Sequence, residues 1–427
     1  MKTGLTTGVC LLLSAIISCT SDIQNEASWT HFRGDELNGI SVEENIPLLW
    51  DDSTNIAWKT PVPGRGWSSP VILGQQVWLT TATEDGKELR ALCLDRESGE
   101  IIQNRILFKP DKLYRKNSLN TYATPTGALE DERFYAHFGR YGTACLDTRS
   151  GEILWERSDL QCKHVQGPGS SLYLYRDKLF VHMEGSDIQY IVALDKATGK
   201  TIWRSDRPKE IYDQMEPIGK KAYTTPVIVN AGGKDVMISN GSGACIAYDP
   251  DNGEELWRIV YGDDTTIAMP TESDGIVYLY MAFEYQEDGK KNAKLIALDP
   301  ANTDDSGNPR VLWQLNSPPL QQSSPLVKDG LLYTVASDGI MHCIEASSGE
   351  TVWSRRMKGK FNSSPVWADG HLYFSSTKGS THVLKEGREM EFVAENKVEG
   401  EIWATPAITG GAIFLRTSKY LYKISKP

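Results

Sequence analysis

The sequence predicts an all-β fold: an eight-bladed β-propeller of four-stranded antiparallel blades, closed by an N-terminal strand that completes the last blade. Three observations carry that prediction. A small-residue–proline motif recurs eight times, and an acidic–glycine–tryptophan motif recurs between its copies. A surplus strand near the start of the chain also matches a missing one at its end. Several short strands per repeat, at a period of about 40–50 residues, are the mark of propeller blades.

The proline motif reads Ser68-Ser69-Pro70, Ala123-Thr124-Pro125, Gly167-Pro168, Thr224-Thr225-Pro226, Ala268-Met269-Pro270, Ser323-Ser324-Pro325, Ser363-Ser364-Pro365 and Ala404-Thr405-Pro406. From Pro70 to Pro406 the mean spacing is 48 residues. Proline has no N–H to give to a ladder, so it belongs at the start or edge of a strand. The innermost strand of a blade is such an edge. A second apolar strand follows each proline, as in Gly330-Leu331-Leu332-Tyr333.

The second motif is Asp147-Gly151-Trp155, Asp195-Gly199-Trp203, Asp249-Gly253-Trp257 and Glu345-Gly349-Trp353. Asp299 and Trp313 extend the series with a longer turn, and Asp95-Gly99 leads to Gln103 instead of Trp. Near Lys385-Gly387 the pattern decays, with Phe392 close to the Trp position. The acidic side chain can bond backbone N–H groups just ahead of it, and glycine can take positive φ, so each copy reads as a hairpin turn. The strand after it delivers an indole at a fixed depth. Trp155, Trp203, Trp257, Trp313 and Trp353 are the expected docking residues, together with Trp58.

Trp58 supplies the closure. The final repeat has its proline strand after Pro406 and two more apolar strands, but no fourth. Ile56-Ala57-Trp58-Lys59 precedes Pro70 by the spacing that separates Trp313 and Trp353 from their next prolines. Completing the last blade with this strand leaves no open sheet edge between the termini.

Composition sets the class. Of 427 residues 24% are charged and 40% hydrophobic, with 37 glycines and 12 tryptophans. These are values of a soluble, turn-rich globular chain. The net charge is −11 and no Lys/Arg run occurs, which sets nucleic acid aside. Lys2 and the apolar stretch from Val9 to Ile17 are too short for a span and read as a secretory leader. The leader ends in Ile16-Ile17-Ser18-Cys19, which resembles a bacterial lipobox. That resemblance implies acylation of Cys19, with membrane contact only through the lipid. Thr20, not Asp, follows, and similarity to the enterobacterial sorting rule implies the outer membrane. The expected organisation is a signal peptide at 1–18, a lipidated tether and N-terminal extension at 19–49, and a monomeric propeller at 50–427.

Of the remaining cysteines, Cys93, Cys145, Cys245 and Cys343 sit shortly before acidic turn positions and read as small buried hydrophobes. Cys162 falls in a loop. Their disulfide status is open at the level of sequence, although equivalent positions in separate blades are poorly placed to pair.

The Asp–Gly–Trp turns resemble those of the pyrroloquinoline quinone (PQQ)-binding-like, quinoprotein-type propeller family. They are equally similar to the propeller lipoprotein of the outer-membrane barrel-assembly machinery. The start, Trp29-Thr30-His31-Phe32-Arg33-Gly34 with Asn38-Gly39-Ile40-Ser41 and Pro47-Leu48-Leu49-Trp50, resembles exported bacterial members of the same family. The resemblance implies the fold and leaves activity open. A dehydrogenase of this kind needs a divalent ion on the quinone and a carboxylate base. The alcohol-oxidising members also show adjacent cysteines, and this chain has no such pair.

No catalytic residue is assigned, no metal site is expected, and no cofactor is predicted, with PQQ plus Ca²⁺ as the alternative. The motifs H-E-x-x-H, G-x-S-x-G and a phosphate loop do not occur. The residue three before each proline should stand at the channel mouth. The ring of such residues is Trp67, Tyr122, Val165, Tyr223, Ile267, Gln322, Asn362 and Trp403. Its aromatics and amides suit stacking on a sugar or packing a peptide, and equally a plug that fills the funnel. Arg65, Arg140 and His164 are candidate polar neighbours. Two long connections, 109–120 and 207–220, should project on one face, where binding residues concentrate. The function expected is a non-catalytic envelope scaffold whose loops and channel mouth meet a protein or glycan partner. The alternatives are a PQQ-dependent or PQQ-derived dehydrogenase and an unrecognised polysaccharide-acting enzyme. Mass analysis of the purified protein is expected to find Cys19 acylated at the N-terminus; an unmodified N-terminus downstream of it would end the lipid-anchor reading.

Overall fold

A computed structural model describes Met1 and residues 27–262, 265–285, 291–305, 307–317 and 322–427. The leader and Cys19 lie outside the described residues. Eight antiparallel sheets form an eight-bladed propeller, and seven of the blades are built from four consecutive strands. The innermost strand follows its proline in every blade: Val71–Leu73, Ala128–Glu130, Tyr173–Tyr175, Val227–Ala231, Thr271–Ser273, Leu326–Lys328, Val366–Ala368 and Ala407–Thr409. Blades are numbered 1 to 8 in that order. Blade 8 takes its fourth strand from the N-terminal side. Ile56–Pro61 pairs antiparallel with Tyr420–Ser425, with Thr60 opposite Leu421 and Lys59 opposite Tyr422.

The acidic turns close as hairpins. In blade 3, Thr198 N–H donates to Asp195 Oδ1 at 2.8 Å and Gly199 N–H to the Asp195 carbonyl at 2.8 Å. Gly199 has φ +70°, and a Cβ there would stand 2.6 Å from the Trp155 ring of the preceding blade. Both facts demand glycine. Trp155, Trp203 and Trp313 lie over the glycines Gly199, Gly253 and Gly349, and the indoles donate to the neighbouring turn: Trp155 Nε1 to Lys196 O at 3.0 Å, Trp203 to Pro250 O at 3.1 Å, Trp313 to Ala346 O at 2.8 Å and Trp353 to Gly387 O at 3.2 Å. Trp58 does the same across the closure, to Arg96 O at 3.0 Å. Trp257, only 9% exposed, packs into the apolar core between blades 4 and 5. Gln103 replaces the indole and keeps its bond, Nε2 to Thr148 O at 2.7 Å.

A β-bulge aims each of these side chains. The register slips by one residue immediately before Trp58, Gln103, Trp155, Trp203, Trp257, Trp313 and Trp353. Such a bulge turns the following side chain toward the next blade. The residue opposite is small in six of the seven: Cys93, Cys145, Ala193, Ala247, Ala297 and Cys343. A small side chain leaves room for the ring beside it, which accounts for three of the cysteines. All five described cysteines are free and buried. Blade 7 corrects the sequence expectation. There Ala394, opposite Val383, holds the Trp register, and Phe392 lies before the bulge, 49% exposed. Blade 8 carries the meeting of the chain ends where a docking turn would stand, so an indole from blade 7 would have nothing to dock on.

The N-terminal extension is part of the ring. From Ala27 it enters the channel and visits all eight inner strands in turn. Ser28 and Trp29 pair with Leu73 and Ile72 of blade 1. The Thr30 carbonyl accepts Leu129 N–H of blade 2 at 2.9 Å. His31 Nε2 accepts Leu174 N–H of blade 3 at 3.2 Å. Phe32 and Leu37 pack with Val227 and Val229 of blade 4. Arg33 donates to Thr271 Oγ1 of blade 5 at 2.8 Å and to the Pro325 carbonyl of blade 6 at 2.6 Å. Gly39 and Ser41 bond the backbone of Trp367 in blade 7, and Ser41 Oγ donates to Ile408 O of blade 8 at 2.8 Å. Gly39 has φ +80°, and a Cβ there would stand 3.1 Å from the Pro365 carbonyl and 3.2 Å from the Arg33 guanidinium, so the turn here favours glycine.

His31 makes this plug sensitive to acid. Burial lowers its pKa from 6.5 to about 4, against a weaker opposite pull from Asp35. The folded ring is therefore neutral where an unfolded one would take a proton. The contribution to stability is complete above pH 6.5 and is lost as pH falls from 6.5 to about 4, about 3 kcal/mol in all. In urea titrations from pH 7.5 to 4, His31→Gln is expected to flatten the decline in midpoint by about one proton's worth. An unchanged slope would show that His31 is not the linked group.

Candidate functional site: a blind funnel on one face of the ring

The plug closes the channel from the face that carries the turns between inner and second strands. What remains on the opposite face is a funnel of about 490 Å³. Phe32 of the plug lines its depth. This volume lies within the range of pockets that hold small organic ligands.

Of the residues expected at the mouth, Trp67, Tyr223, Ile267, Gln322, Asn362 and Trp403 line the funnel together. Trp67 and Trp403 stack, with ring centroids 5.4 Å apart and planes 16° apart. Trp67 Nε1 donates to Leu119 O at 3.1 Å. The remaining expectations fall elsewhere. Tyr122 does not line the funnel: its ring meets Tyr141 edge-on at 5.7 Å, and its hydroxyl donates to Tyr114 O at 3.0 Å. Arg140 belongs to the same outer aromatic cluster, its guanidinium 3.8 Å from the Tyr114 ring centre. Val165 is exposed away from the funnel. His164 is buried against Cys162, 3.2 Å from its sulfur, and burial lowers its pKa to about 4. Arg65 stays at the lip, over the Trp67 ring at 5.3 Å.

Both long connections reach the funnel. The first brings Asn117, Leu119 and Asn120 to its wall, and the second brings Ile218, followed by Lys221. Leu119 and Ile218 are about half exposed and form apolar lips. The Lys221 ammonium donates to Ile218 O at 2.6 Å and Thr265 Oγ1 at 2.7 Å.

Below the mouth runs a collar of hydroxyls that sequence reasoning passed over. Thr126, Ser171, Thr225, Ser324, Ser364 and Thr405 all line the funnel. Each accepts a backbone N–H from the blade before it, at 2.9 to 3.1 Å. The donors are Ser69, Thr126, Ser171, Met269, Ser324 and Ser364. The signal was present as a Ser or Thr directly beside the proline for five of the six; Ser171 stands three residues after Pro168.

A second missed group is a fully buried charge cluster between blades 3 and 4. Glu184 forms an ion pair with Arg207 and accepts from, or is met by, His182 Nε2 at 2.8 Å. Arg207 also donates to Ala244 O at 3.0 Å and Ser239 Oγ at 2.8 Å. Burial works to raise the Glu184 carboxyl, but the Arg207 charge and the His182 and Ser242 contacts outweigh it and hold it below the ordinary range. Burial likewise opposes the Arg207 charge, and Glu184 overcomes it. The cluster anchors the start of the second long connection. Its sequence signal was His182 and Glu184 two apart on a strand, hence on one face.

Among the described residues, no Asp or Glu lines the funnel, and no three His, Cys, Asp or Glu side chains gather as a metal ion would need. The donor set among the described residues does not fit PQQ held with a divalent ion beside a carboxylate base.

Comparison with known proteins agrees with the fold. The family described as outer membrane protein assembly factor BamB matches residues 187–306 and 291–389. The chain is a β-propeller whose repeats are similar to those of the PQQ-like family that includes BamB. It is 32% identical over 144 residues to the 1-butanol dehydrogenase (quinone) of Thauera butanivorans, which is 30% of this chain and 21% of that one. It is 21% identical over 204 residues to BamB of Legionella pneumophila, 46% of this chain and 49% of that one. These matches span about a fifth of the dehydrogenase and about half of BamB. The crystal structure of BamB from Moraxella catarrhalis superposes with a TM-score of 0.57 at 12% identity, covering 86% of this chain and 99% of that one. Likeness thus runs both to an assembly factor and to a quinone dehydrogenase, on one fold.

Arg207→Met would leave Glu184 buried without its cation. It is expected to cost about 3–5 kcal/mol in denaturant titration, with part recovered in the double variant carrying Glu184→Gln. The stability that the Glu184 carboxylate contributes is present above pH 4.5 and is lost as pH falls through its lowered folded value. Equal stabilities for the single variant and the parent would show the pair to be inert.

Proposed function

We propose that this chain is a non-catalytic binding or scaffold propeller of the bacterial cell envelope, held to the outer membrane by lipid on Cys19. It offers its funnel face and long loops to a protein or glycan partner. One observation carries the reading: the funnel wall is built from hydroxyls, amides and aromatic rings, with no carboxylate among its described residues. Such a wall can recognise a ligand and has no described group that would act on it as a base or hold a metal. Similarity to BamB favours an envelope protein among the partners.

The path of the extension gives this reading a geometry. The Ala27 carbonyl accepts Gly74 N–H, and Ala27 Cβ lies against Gly410, both in turns between inner and second strands. The chain therefore leaves the ring on the face opposite the funnel. Cys19 precedes Ala27 by eight residues, which reach at most about 28 Å. A lipid on Cys19 would hold the plugged face toward the bilayer and turn the funnel away from it.

The second reading, a quinone dehydrogenase, is favoured by the match to the Thauera enzyme. Calorimetric titration of the purified chain with PQQ, with and without Ca²⁺, separates the two. The scaffold reading expects no binding heat in either case. Tight stoichiometric binding would overturn it.

A further inference from the structure

The funnel wall is specific enough to name a class of ligand. Three amide side chains that line it, Gln166, Gln322 and Asn362, make no side-chain hydrogen bond among the described residues. A primary amide carries two donors and an acceptor with two lone pairs, so this wall presents both functions at once. The six collar hydroxyls accept backbone N–H groups and donate to no described residue, which leaves six O–H donors available to a ligand in the funnel. Beside these polar groups stand flat rings. Trp67 covers one face of Trp403, and Phe32 and Tyr223 line the deeper wall. The one charged side chain among the described lining residues is Lys221, and its ammonium is already bonded to Ile218 and Thr265.

This combination disfavours a peptide. An extended peptide would add to a free strand edge. Here the N–H groups at the collar are already bound from blade to blade, and the deeper part of the inner edge is covered by the plug. An anionic ligand would call for a free cation, and none lines the described wall. A ligand rich in hydroxyls that both donate and accept, with flat apolar faces, satisfies all of these features.

We infer that the funnel binds a short neutral glycan, one sugar face resting on the Trp403–Trp67 pair and its hydroxyls bonded by Gln322, Asn362 and the collar. The inference deepens the binding-propeller reading and rests on it.

The test uses the full chain against an array of neutral and acidic oligosaccharides, with chitotriose, maltotriose and cellotriose followed by tryptophan fluorescence and calorimetry. An unstructured peptide library is run in parallel. At least one neutral glycan is expected to bind and to change tryptophan emission. Trp403→Ala should weaken it about 10-fold or more, as loss of an aromatic platform does. Asn362→Ala and Gln322→Ala, which do not disturb the stack, should weaken it several-fold while leaving the melting temperature unchanged. If Trp403→Ala melts early, the two amide variants decide. No neutral glycan bound, only acidic glycans bound, or peptides bound in the funnel would each overturn the inference. Those results would leave the scaffold reading standing if cross-linking in cells still captured an envelope protein. Loss of that capture as well would bring both down.

Discussion

Everything in this molecule depends on the two chain ends meeting in one sheet. Pairing of Ile56–Pro61 with Tyr420–Ser425 turns a row of blades into a ring, and only a ring has a channel to plug and a funnel to leave open. It also fixes where the extension must start. Because the closing strand is the fourth of blade 8, residues upstream of Ile56 emerge at the rim. Trp50 N–H bonds to Asn396 Oδ1 in the outer strand of blade 7 at 2.9 Å on the way. From there the segment has one dry place to go, the hollow at the centre. An empty hollow between eight sheets would leave inner-strand N–H and C=O groups unpaired, which folding penalises heavily.

The contacts around the ring repeat one device with local substitutions. An indole docks over a glycine in the next blade's turn and gives its N–H to a carbonyl there. The bulge before it sets the angle, and an alanine or cysteine opposite makes room. Gln103 shows which part of the device is required. It supplies no ring but keeps the hydrogen bond, and Arg105 fills the space over Gly151. Five junctions, those of blades 1–2, 2–3, 3–4, 5–6 and 6–7, thus carry both a polar contact at the periphery and a hydroxyl contact at the collar. Apolar packing lies between the two.

The ring was legible in the sequence because its parts recur. Eight prolines and six tryptophans in step cannot be coincidence, and the missing fourth strand at the end pointed to the spare one at the start. Where a part occurs once, legibility fails. Phe392 looked like the degraded copy of a tryptophan because spacing was counted without the bulge; register assigns that place to Ala394. The rim rule, three residues before each proline, found Trp67, Tyr223, Ile267, Gln322, Asn362 and Trp403, all of which line the funnel. It failed at Tyr122, whose ring is drawn outward by Tyr114 and Tyr141, and at Val165, which sits in an irregular loop. The plug gave no periodic signal at all. Thr30 and His31 each meet one blade, and Arg33 and Ser41 two each, every contact of a different kind, so nothing in their spacing announces a shared purpose.

Arg33 shows what such single-use contacts achieve. It is fully buried with no carboxylate partner, and burial alone lowers its pKa to about 9, so it remains charged at neutral pH. On energetic grounds an apolar side chain of similar volume would serve stability as well or better, since a buried charge gives back much of what its hydrogen bonds gain. Its donors instead find Thr271 in blade 5, the Pro325 carbonyl in blade 6 and the Asn38 carbonyl of the plug itself. A segment shifted by one residue would leave that charge without its acceptors, a far larger penalty than a misplaced methyl group. The arginine thus selects one register for the whole plug. That register sets Phe32 in the wall of the funnel and keeps the channel closed from below. Shape and depth of the funnel are therefore decided from its closed end.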